Sequence, residues 1–434
     1  MDPLWIGIIG FVALLTVLAA GLHIAFSMAL VGTVGLLLTT GPRITLASLS
    51  LLPLSSVNSY GLVVIPLFVF MGNLAFAAGI TSNLYDTGYK WFGRLPGGLA
   101  MATTFASAGF AASTGSSVGM VAAMSKVALP EMDRYHYDRQ LSLGSIAGAG
   151  TLGVLIPPSI IAVIYAITTE QSVGHILIGS ILPGILTAVL FILMILLRAM
   201  INPSLGPRAT NISWLDSLIS IKNIWGVLFL FLSVMGAIYT GIATPTEAGA
   251  MGCLGALLIA LFRGKLTWPV FKEALLDTVK IGSMILTISI GAQIFTLFLA
   301  RAGFAARFIS IFTSMNASPT MLIILFLLIY IPLGMFLEPM SMILLTLPLT
   351  FPILQQMGVD GVWYGIMVII MIEISLLTPP VGLNVFVLKG AVPDADLMQI
   401  FRSVAPYIIV ELIVIALIMM FPQIVLFLPN IMKT

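Results

Sequence analysis

Apolar runs long enough to cross a lipid bilayer recur along the whole 434-residue chain. Each is about 20 residues long, which is the length that an α-helix needs to span roughly 30 Å of hydrocarbon. Hydrophobic residues make up 60% of the chain and charged residues 8%, and no soluble domain of this length could hide so much apolar surface. We therefore predict an all-α polytopic membrane protein, since backbone groups inside a bilayer need internal hydrogen bonds.

Ten spans are predicted, in two sets of five. The first set lies near 4–21, 23–40, 61–80, 140–168 and 176–198, and the second near 224–241, 246–263, 281–300, 362–390 and 406–430. A hydrophobic stretch after the third span of each set is interpreted as a re-entrant hairpin, near 92–130 and near 319–358. The first run lacks a basic start and a cleavage site, so it is interpreted as a span and not as a signal peptide.

The positive charges support this topology. If both hairpins return to their own side, all lysines and arginines share one compartment except Arg43, Arg301, Arg307 and Lys433. By the positive-inside rule that compartment is the cytoplasm, and both termini face outward. Five spans per half make residues 1–210 and 211–434 inverted repeats, an arrangement common among secondary transporters.

Polar, helix-breaking motifs occur once in each half. Ser113 to Ser117 precedes Pro157-Pro158, and Phe336-Leu337-Glu338-Pro339 precedes Thr378-Pro379-Pro380, with roughly 40 residues between the partners. Glycine frees the backbone at such a point, and consecutive prolines leave carbonyls of the preceding turn without helical partners. These carbonyls are candidate sodium ligands, and the helix N-termini at the breaks suit a carboxylate substrate.

Structural interpretations compete with these functional ones. A proline pair can be a packing kink, and Glu338 can simply cap a half-helix. Glu373 can be an interhelical hydrogen-bond partner, although an acid in a membrane span favours a functional role. Thr244 to Glu247 is interpreted as a plain helix start, with threonine as the cap and proline at the first position. The recurrence of the motif pairs in both halves favours function for the others.

Enzyme and nucleotide-binding motifs are excluded by their context. Gly115 to Gly119 fits GxSxG, yet no strand precedes it and no histidine is placed to activate the serine. Gly148 to Gly153 fits GxGxxG but lies inside a span, without a βαβ unit. The single cysteine, Cys253, excludes an internal disulfide, and a net charge of +2 gives no sign of a nucleic-acid partner. No catalytic residue is predicted.

Five motifs together carry a resemblance to a known family. They are ASTGSS from Ala112, GTLGVLIPPS from Gly150, GIATPTEAGA from Gly241, FLEP from Phe336 and LLTPPVGLN from Leu376. In this order they resemble the large membrane subunit of tripartite ATP-independent periplasmic (TRAP) transporters, over nearly the whole chain.

The resemblance implies sodium-coupled import of a small organic acid across the bacterial inner membrane. It implies an elevator mechanism, in which a moving domain carries both hairpins, and sodium coupling ions but no cofactor. The implied partners are membrane lipid, a periplasmic substrate-binding protein and a small four-helix membrane subunit, which we expect to be a separate polypeptide. An anion channel, or another permease without sodium coupling, remains the alternative.

The resemblance also implies which residues form the sites. The sodium-binding residues would be Ser113, Thr114, Gly115, Gly150, Gly153, Pro157, Gly334, Glu338, Thr378 and Gly382. The substrate-binding residues would be Ser116, Ser117, Pro158, Pro380 and Asn384.

Overall fold

The chain is helical throughout the part that the structure describes. The computed structural model describes residues 2–208, 213–304, 306–307, 310 and 318–432, without the side chains of Ser113 and Thr114. Within these ranges it contains 22 α-helices and three 3₁₀-helices, and no strand is assigned there. The prediction of an all-α protein is confirmed.

Twelve α-helices lie before residue 209. They are α1 (Pro3–Ala19), α2 (Ile24–Thr40), α3 (Pro42–Val57), α4 (Val64–Ala77), α5 (Ile80–Phe92), α6 (Gly98–Thr114), α7 (Ser117–Arg134), α8 (Arg139–Gly150), α9 (Leu152–Leu155), α10 (Ile160–Thr168), α11 (Val173–Gly179) and α12 (Ile181–Ile201). The 3₁₀-helices Tyr60–Val63 and Pro203–Leu205 precede α4 and follow α12.

Ten α-helices follow residue 212. They are α13 (Trp214–Ser220), α14 (Trp225–Tyr239), α15 (Pro245–Phe262), α16 (Trp268–Arg301), α17 (Pro319–Gly334), α18 (Pro339–Gln356), α19 (Gly361–Leu377), α20 (Leu383–Ala391), α21 (Leu397–Met420) and α22 (Gln423–Ile431). The 3₁₀-helix Ile221–Ile224 joins α13 to α14.

Several of these helices have the length and composition of membrane spans. In the described ranges six qualify outright: Tyr60–Ala77, Val173–Ile201, Trp214–Tyr239, Pro245–Phe262, Trp268–Arg301 and Leu397–Met420. A seventh is the pair Arg139–Leu155 and Ile160–Thr168, which bends by 43° at the first proline pair. The remaining predicted spans contain shorter apolar helices such as α1 and α2, and the polytopic character is confirmed.

Two predicted spans have different boundaries in the structure, and two helices were not predicted, for identifiable reasons. Helix α16 begins at Trp268 instead of residue 281, because its first turns carry lysine and acidic residues that hydropathy does not score as membrane. The last predicted span, 406–430, is two helices: α21 contains Pro406 in its interior and ends before Pro422. Helices α3 and α5 were not predicted, because both mix polar and apolar residues.

Two groups of helices pack side by side. We define the long-helix bundle as α1, α2, α4, α14, α15 and α16, and the hairpin bundle as α6–α12 with α17–α22. Small residues bring the long helices together: a Cβ on Gly32 would lie 2.8 Å from the backbone nitrogen of Phe295, and one on Gly252 would lie 2.8 Å from Val234 Cγ2. Glycine at these positions allows the close helix contact that is typical inside membranes.

The two outer ends of the first hairpin, α6–α7, meet at one end of the hairpin bundle. The backbone amide of Leu99 donates to the Tyr137 hydroxyl (3.1 Å), which in turn donates to the carbonyl of Pro207 (3.0 Å). Burial raises the pKa of Tyr137 to about 12, so the hydroxyl keeps its proton at neutral pH. The hairpin therefore leaves from and returns to the same end.

Aromatic and basic residues share that end. The Arg94 guanidinium lies 4.3 Å from the centre of the Trp214 ring, and the Trp91 indole donates to the carbonyl of Ser217 (3.0 Å). Tryptophan and arginine with this mixture of apolar and polar character are enriched where a membrane meets water. We call this the basic end of the molecule.

Candidate functional site

The tip of the first hairpin is a sharp backbone reversal between α6 and α7. Gly115 has a φ of +64°, a left-handed conformation that glycine adopts without strain. Ser116 then caps α7, because its hydroxyl accepts from the amide of Gly119 (3.2 Å). The tip thus presents a helix N-terminus and small side chains.

This tip packs directly against the first helix break. A Cβ on Gly115 would lie 2.5 Å from the carbonyl oxygen of Pro158, and one on Gly153 would lie 2.8 Å from the carbonyl oxygen of Ser116. Only glycine allows these backbones to approach so closely. The structure therefore brings together the first motif pair predicted from the sequence.

The first break is completely enclosed. Residues 151–160 are all buried, and the peptide bond between Pro157 and Pro158 is cis. Neither proline has an amide hydrogen, so the carbonyls of Gly153 and Val154 lack their helical donors. Such carbonyls are suitable ligands for a hard cation.

The second hairpin ends in a carboxylate-capped helix. Glu338 caps α18 and accepts from the amides of Ser341 (2.8 Å) and Met340 (3.1 Å). Ahead of the tip, Gly334 packs on the side chain of Ser375 in α19. The capping role considered for Glu338 is confirmed, and its carboxylate also stays at the tip, where it is half-buried.

The second break is more open than the first. The Thr378 hydroxyl donates to the carbonyl of Ile374 (2.7 Å), and the cis-linked pair Pro379-Pro380 is exposed. Gly382 begins α20 with a φ of +59°. The lone pairs of the Thr378 hydroxyl remain available to a ligand at this break.

A cavity of about 600 Å³ lies between both hairpin tips and the long-helix bundle. Its walls on the hairpin side include Gly115 to Gly119, Lys126 and Glu338 to Met340. On the other side, α4 contributes Asn73 and α16 contributes Asp277. Along α7 the cavity runs from Ser116 to Lys126, about 15 Å at 1.5 Å per residue, toward the basic end.

The charged side chains in the cavity wall have different partners. Asp277 forms an ion pair with Lys280 (3.2 Å), and Glu338 is held in its helix cap. Lys126 is exposed to the cavity from α7. Together with the N-terminus of α7, Lys126 gives this wall a local preference for anions.

The predicted site residues divide between the cavity and its surroundings. Of the described residues, the lining includes Gly115, Ser116, Ser117 and Glu338. The others lie outside the lining: Thr378 is half-buried, Pro380 is exposed, and the buried ones are Gly150, Gly153, Pro157, Pro158, Gly334, Gly382 and Asn384. The side chains of Ser113 and Thr114 lie outside the described part of the chain.

Sequence reasoning missed the cavity wall that the long helices supply. Asn73 and Asp277 lie on neighbouring helices, and the Asn73 amide donates to the carbonyl of Ala274 (3.3 Å). A polar residue inside an apolar run was the signal for Asn73, but nothing in the sequence shows which spans face each other. In the described residues no group of three or more His, Cys, Asp or Glu side chains is placed to hold a metal.

The Thr244 to Glu247 segment is structural, as predicted. The Thr244 hydroxyl accepts from the Glu247 amide (3.4 Å), while the Glu247 carboxylate accepts from the Thr244 amide (2.8 Å). This reciprocal capping box starts α15. The segment does not belong to the lining of the main cavity.

Comparisons with known structures show the same fold at low sequence identity. A Neisseria gonorrhoeae MtrF structure superposes with a TM-score of 0.61 at 14% identity, covering 97% of this chain and 95% of that one. The Alcanivorax borkumensis YdaH transporter gives a TM-score of 0.58 at 13% identity, covering 88% and 90% of the two chains.

Sequence comparisons identify the family. The C4-dicarboxylate TRAP transporter large permease protein DctM of Pseudomonas aeruginosa is 33% identical over 407 residues, covering 93% of this chain and 94% of the relative. The sialic acid TRAP transporter large permease protein SiaM of Vibrio cholerae is 28% identical and covers 96% of each chain. A family model described as "Tripartite ATP-independent periplasmic transporter, DctM component" matches residues 11–424. The chain therefore belongs to the TRAP transporter family as a DctM-type large permease, a multi-pass protein of the bacterial inner membrane and not an enzyme.

Proposed function

We propose that this permease is the substrate-translocating subunit of a sodium-coupled importer for a small organic acid. The observation that carries the proposal is the cavity of about 600 Å³ that both hairpin tips share with the long-helix bundle. A volume of this size accommodates a small metabolite. Its position between two bundles suits a site that changes compartment when one bundle moves.

The wall that the first hairpin contributes to this cavity supports anion recognition. Helix α7 begins at the cavity with Ser116 and Ser117, and its N-terminus carries partial positive charge. Lys126 adds a full positive charge nine residues along the same helix from Ser117. We propose that the substrate carboxylate binds at the α7 N-terminus. Relatives named for C4-dicarboxylate, sialic acid and isethionate transport carry acidic compounds, in keeping with this choice.

Sodium coupling is proposed to reside at the two helix breaks. The first site would combine the tip residues 113–115 with the freed carbonyls of Gly153 and Val154, and the second would use Gly334, Glu338, Thr378 and Gly382. Both breaks sit beside a hairpin in the same bundle, so an ion bound there moves with the cavity wall. Sodium can drive the cycle only through different affinities for the two states of the permease.

We propose that the hairpin bundle moves as a unit, because polar contacts hold it together internally and apolar contacts join it to the long-helix bundle. Polar contacts tie the hairpin bundle from within: the Trp363 indole donates to the carbonyl of Ile418 (2.9 Å), and Arg139 pairs with Asp394 (2.8 Å). Apolar contacts such as the Phe76 and Phe110 rings, 5.8 Å apart, join the two bundles. An apolar contact can slide without leaving buried hydrogen-bonding groups unpaired.

The repeat organisation supports the same proposal. Each half contains a hairpin followed by a broken helix, α6–α7 with α8–α10 and α17–α18 with α19–α20. We propose that residues 1–210 and 211–434 are inverted repeats. The large permease of this family works with a small membrane subunit and a periplasmic binding protein, and we propose that both are separate chains here.

Uptake by proteoliposomes tests the proposal. The permease, its small subunit and its binding protein are reconstituted, and uptake of labelled acid is followed with an inward sodium gradient or an equal potassium gradient. We expect concentrative uptake with sodium alone. Equilibration without accumulation, independent of the sodium gradient, would instead show a channel.

A further inference from the structure

Helix α13 carries its large apolar side chains on the outside. Of its seven residues only Ser217 and Ser220 are buried. The exposed fraction is 72% for Trp214, 65% for Leu215 and 57% for Leu218. A contiguous apolar surface of this kind marks a face that contacts a membrane or another protein.

Hydrogen bonds to α5 hold α13 in this orientation. The Ser217 hydroxyl donates to the carbonyl of Lys90 (2.7 Å), and the Trp91 indole donates to the carbonyl of Ser217 (3.0 Å). One turn further along, the Thr87 hydroxyl donates to the carbonyl of Ser220 (3.1 Å). Rolling the apolar face of α13 inward would break these bonds and leave buried polar groups unpaired.

Helix α13 lies immediately before a membrane span. The helical stretch Trp214–Tyr239 has 26 residues, or about 39 Å at 1.5 Å per residue. The hydrocarbon core is roughly 30 Å thick, so about six residues exceed it, which is close to the length of α13. If α13 continued straight into water, its apolar face would be exposed to solvent, which is unfavourable.

Two arginine–tryptophan pairs show where this stretch lies. At its start the Arg94 guanidinium is 4.3 Å from the centre of the Trp214 ring. Eleven residues later the Trp225 ring centre is 6.0 Å from the guanidinium of Arg263, the residue that follows α15. Tryptophan and arginine are enriched where a membrane meets water. With such a pair at each end, the stretch from Trp214 to Trp225 follows the membrane surface at the basic end.

The charge around α13 is positive. Arg208 and Lys222 are exposed on either side of it. The acids on α5 and α13 have partners, because Asp86 pairs with Lys90 (2.7 Å) and Asp216 is held in the capping box of α13. Basic side chains beside an apolar helix face suit the acidic headgroups of the cytoplasmic leaflet.

We propose that α13 is an interfacial anchor that lies in the cytoplasmic leaflet and binds acidic phospholipid. Its apolar side chains enter the boundary between headgroups and acyl chains, while Lys222 and Arg208 face the lipid phosphates. Because α13 is bonded to α5, the anchor holds the segment that leads into the first hairpin at the membrane surface. This role is separate from sodium coupling and from the choice of substrate.

Quenching by labelled lipids tests this proposal. The full-length permease with Cys253→Ser and Leu218→Cys is labelled with bimane and reconstituted into phosphatidylcholine vesicles. Increasing amounts of nitroxide-labelled phosphatidylglycerol or phosphatidylcholine are then added. We expect strong quenching by both lipids, with half-maximal quenching at a lower concentration of phosphatidylglycerol. A label at Gln140→Cys, an exposed polar position at the start of α8, should be quenched weakly.

Replacing one lysine tests the preference for acidic lipid. In the Leu218→Cys protein, Lys222→Gln should raise the phosphatidylglycerol concentration for half-maximal quenching about fivefold, the equivalent of about 1 kcal/mol for one basic residue near a membrane. The matched control is Lys272→Gln, at an exposed lysine on α16, which should leave this concentration unchanged.

Three results would overturn the proposal. Quenching at Leu218→Cys no stronger than at Gln140→Cys would show that the apolar face is not in the lipid. Loss of quenching when the small membrane subunit is added would show that the face is a subunit interface. Equal concentrations of the two lipids for half-maximal quenching, unchanged by Lys222→Gln, would show that acidic lipid is not recognised.

Discussion

The two helix breaks have the same sequence chemistry but different surroundings. At the first, Ile156 is 9% exposed and the following prolines are buried, whereas at the second Val381 is 37% exposed and the prolines before it face outward. The difference comes from the hairpins. The first tip packs backbone to backbone on its break through Gly115, while the second hairpin contacts α19 ahead of its break through Gly334. A shared motif therefore does not determine how accessible an ion site is.

The largest effect is expected from Gly115→Ala. Alanine at this position would have a strained, left-handed φ of +64°, and its Cβ would lie 2.5 Å from the carbonyl oxygen of Pro158. The hairpin tip could therefore not stay packed against the first break. We expect a stability loss of about 2 kcal/mol or more and no transport. Thermal unfolding and uptake measure both. Gly390→Ala, at an exposed position where a Cβ would meet nothing within 4 Å, is the control, and equal behaviour of the two variants would contradict the packing account.

Cysteine labelling separates the two breaks directly. With Cys253 replaced by serine, Val381→Cys should react readily with a water-soluble maleimide, and Ile156→Cys should stay unmodified over the same time, because only Val381 is exposed. Mass spectrometry reports the modified fraction. Similar rates at both positions would show that the asymmetry does not exist in the membrane.

A smaller change is expected from Thr378→Val. Valine keeps the shape of the side chain but removes the hydroxyl proposed to bind sodium at the second break. We expect the sodium concentration for half-maximal uptake to rise roughly three- to tenfold, with little change in the maximal rate. Thr350→Val, which removes the hydroxyl of a buried threonine that donates within its own helix, should leave sodium dependence unchanged. The hypothesis fails if the two variants cannot be distinguished.

The smallest effect concerns a motif that resembles the breaks in composition but not in role. Thr244→Ala removes one half of the capping box of α15 and should lower stability by about 1 kcal/mol. Thermal unfolding gives the loss of stability, and uptake assays give the sodium dependence, which we expect to be that of the wild type. A changed sodium midpoint would place this segment in the coupling machinery.

Much of the fold was predictable because membrane helices must be apolar and continuous. The hairpin tips and breaks were predictable for the opposite reason, since glycine, serine and proline interrupt such helices. Helices α3 and α5 and the start of α16 were not predictable, because their polar residues lower the hydropathy below that of a membrane span. The cavity wall at Asn73 and Asp277 depends on which helices pack together, and a single sequence does not carry that information.

Individual acids show the same limit. Glu373 is a candidate from the sequence because it lies close to the Thr378 motif. Glu411 was not identified as one, although an acid inside the apolar helix α21 indicates a functional role. Glycines at 144 and 148 bring α8 against α21, and a single sequence does not show that these distant parts of the chain are in contact. Asn384 illustrates a further case: it lies in the second half of the sequence but packs beside Gly150 of the first.

Cross-linking the two bundles tests the moving hairpin bundle most directly. In a background without Cys253, Phe76→Cys with Phe110→Cys places one thiol on each bundle, at rings now 5.8 Å apart. The control pair, Phe70→Cys with Phe271→Cys, replaces rings 5.7 Å apart inside the long-helix bundle. After oxidation, sodium-driven uptake should stop in the first pair, continue in the second, and return on reduction. Full uptake by a completely cross-linked Phe76–Phe110 pair would contradict movement of the hairpin bundle against the long helices.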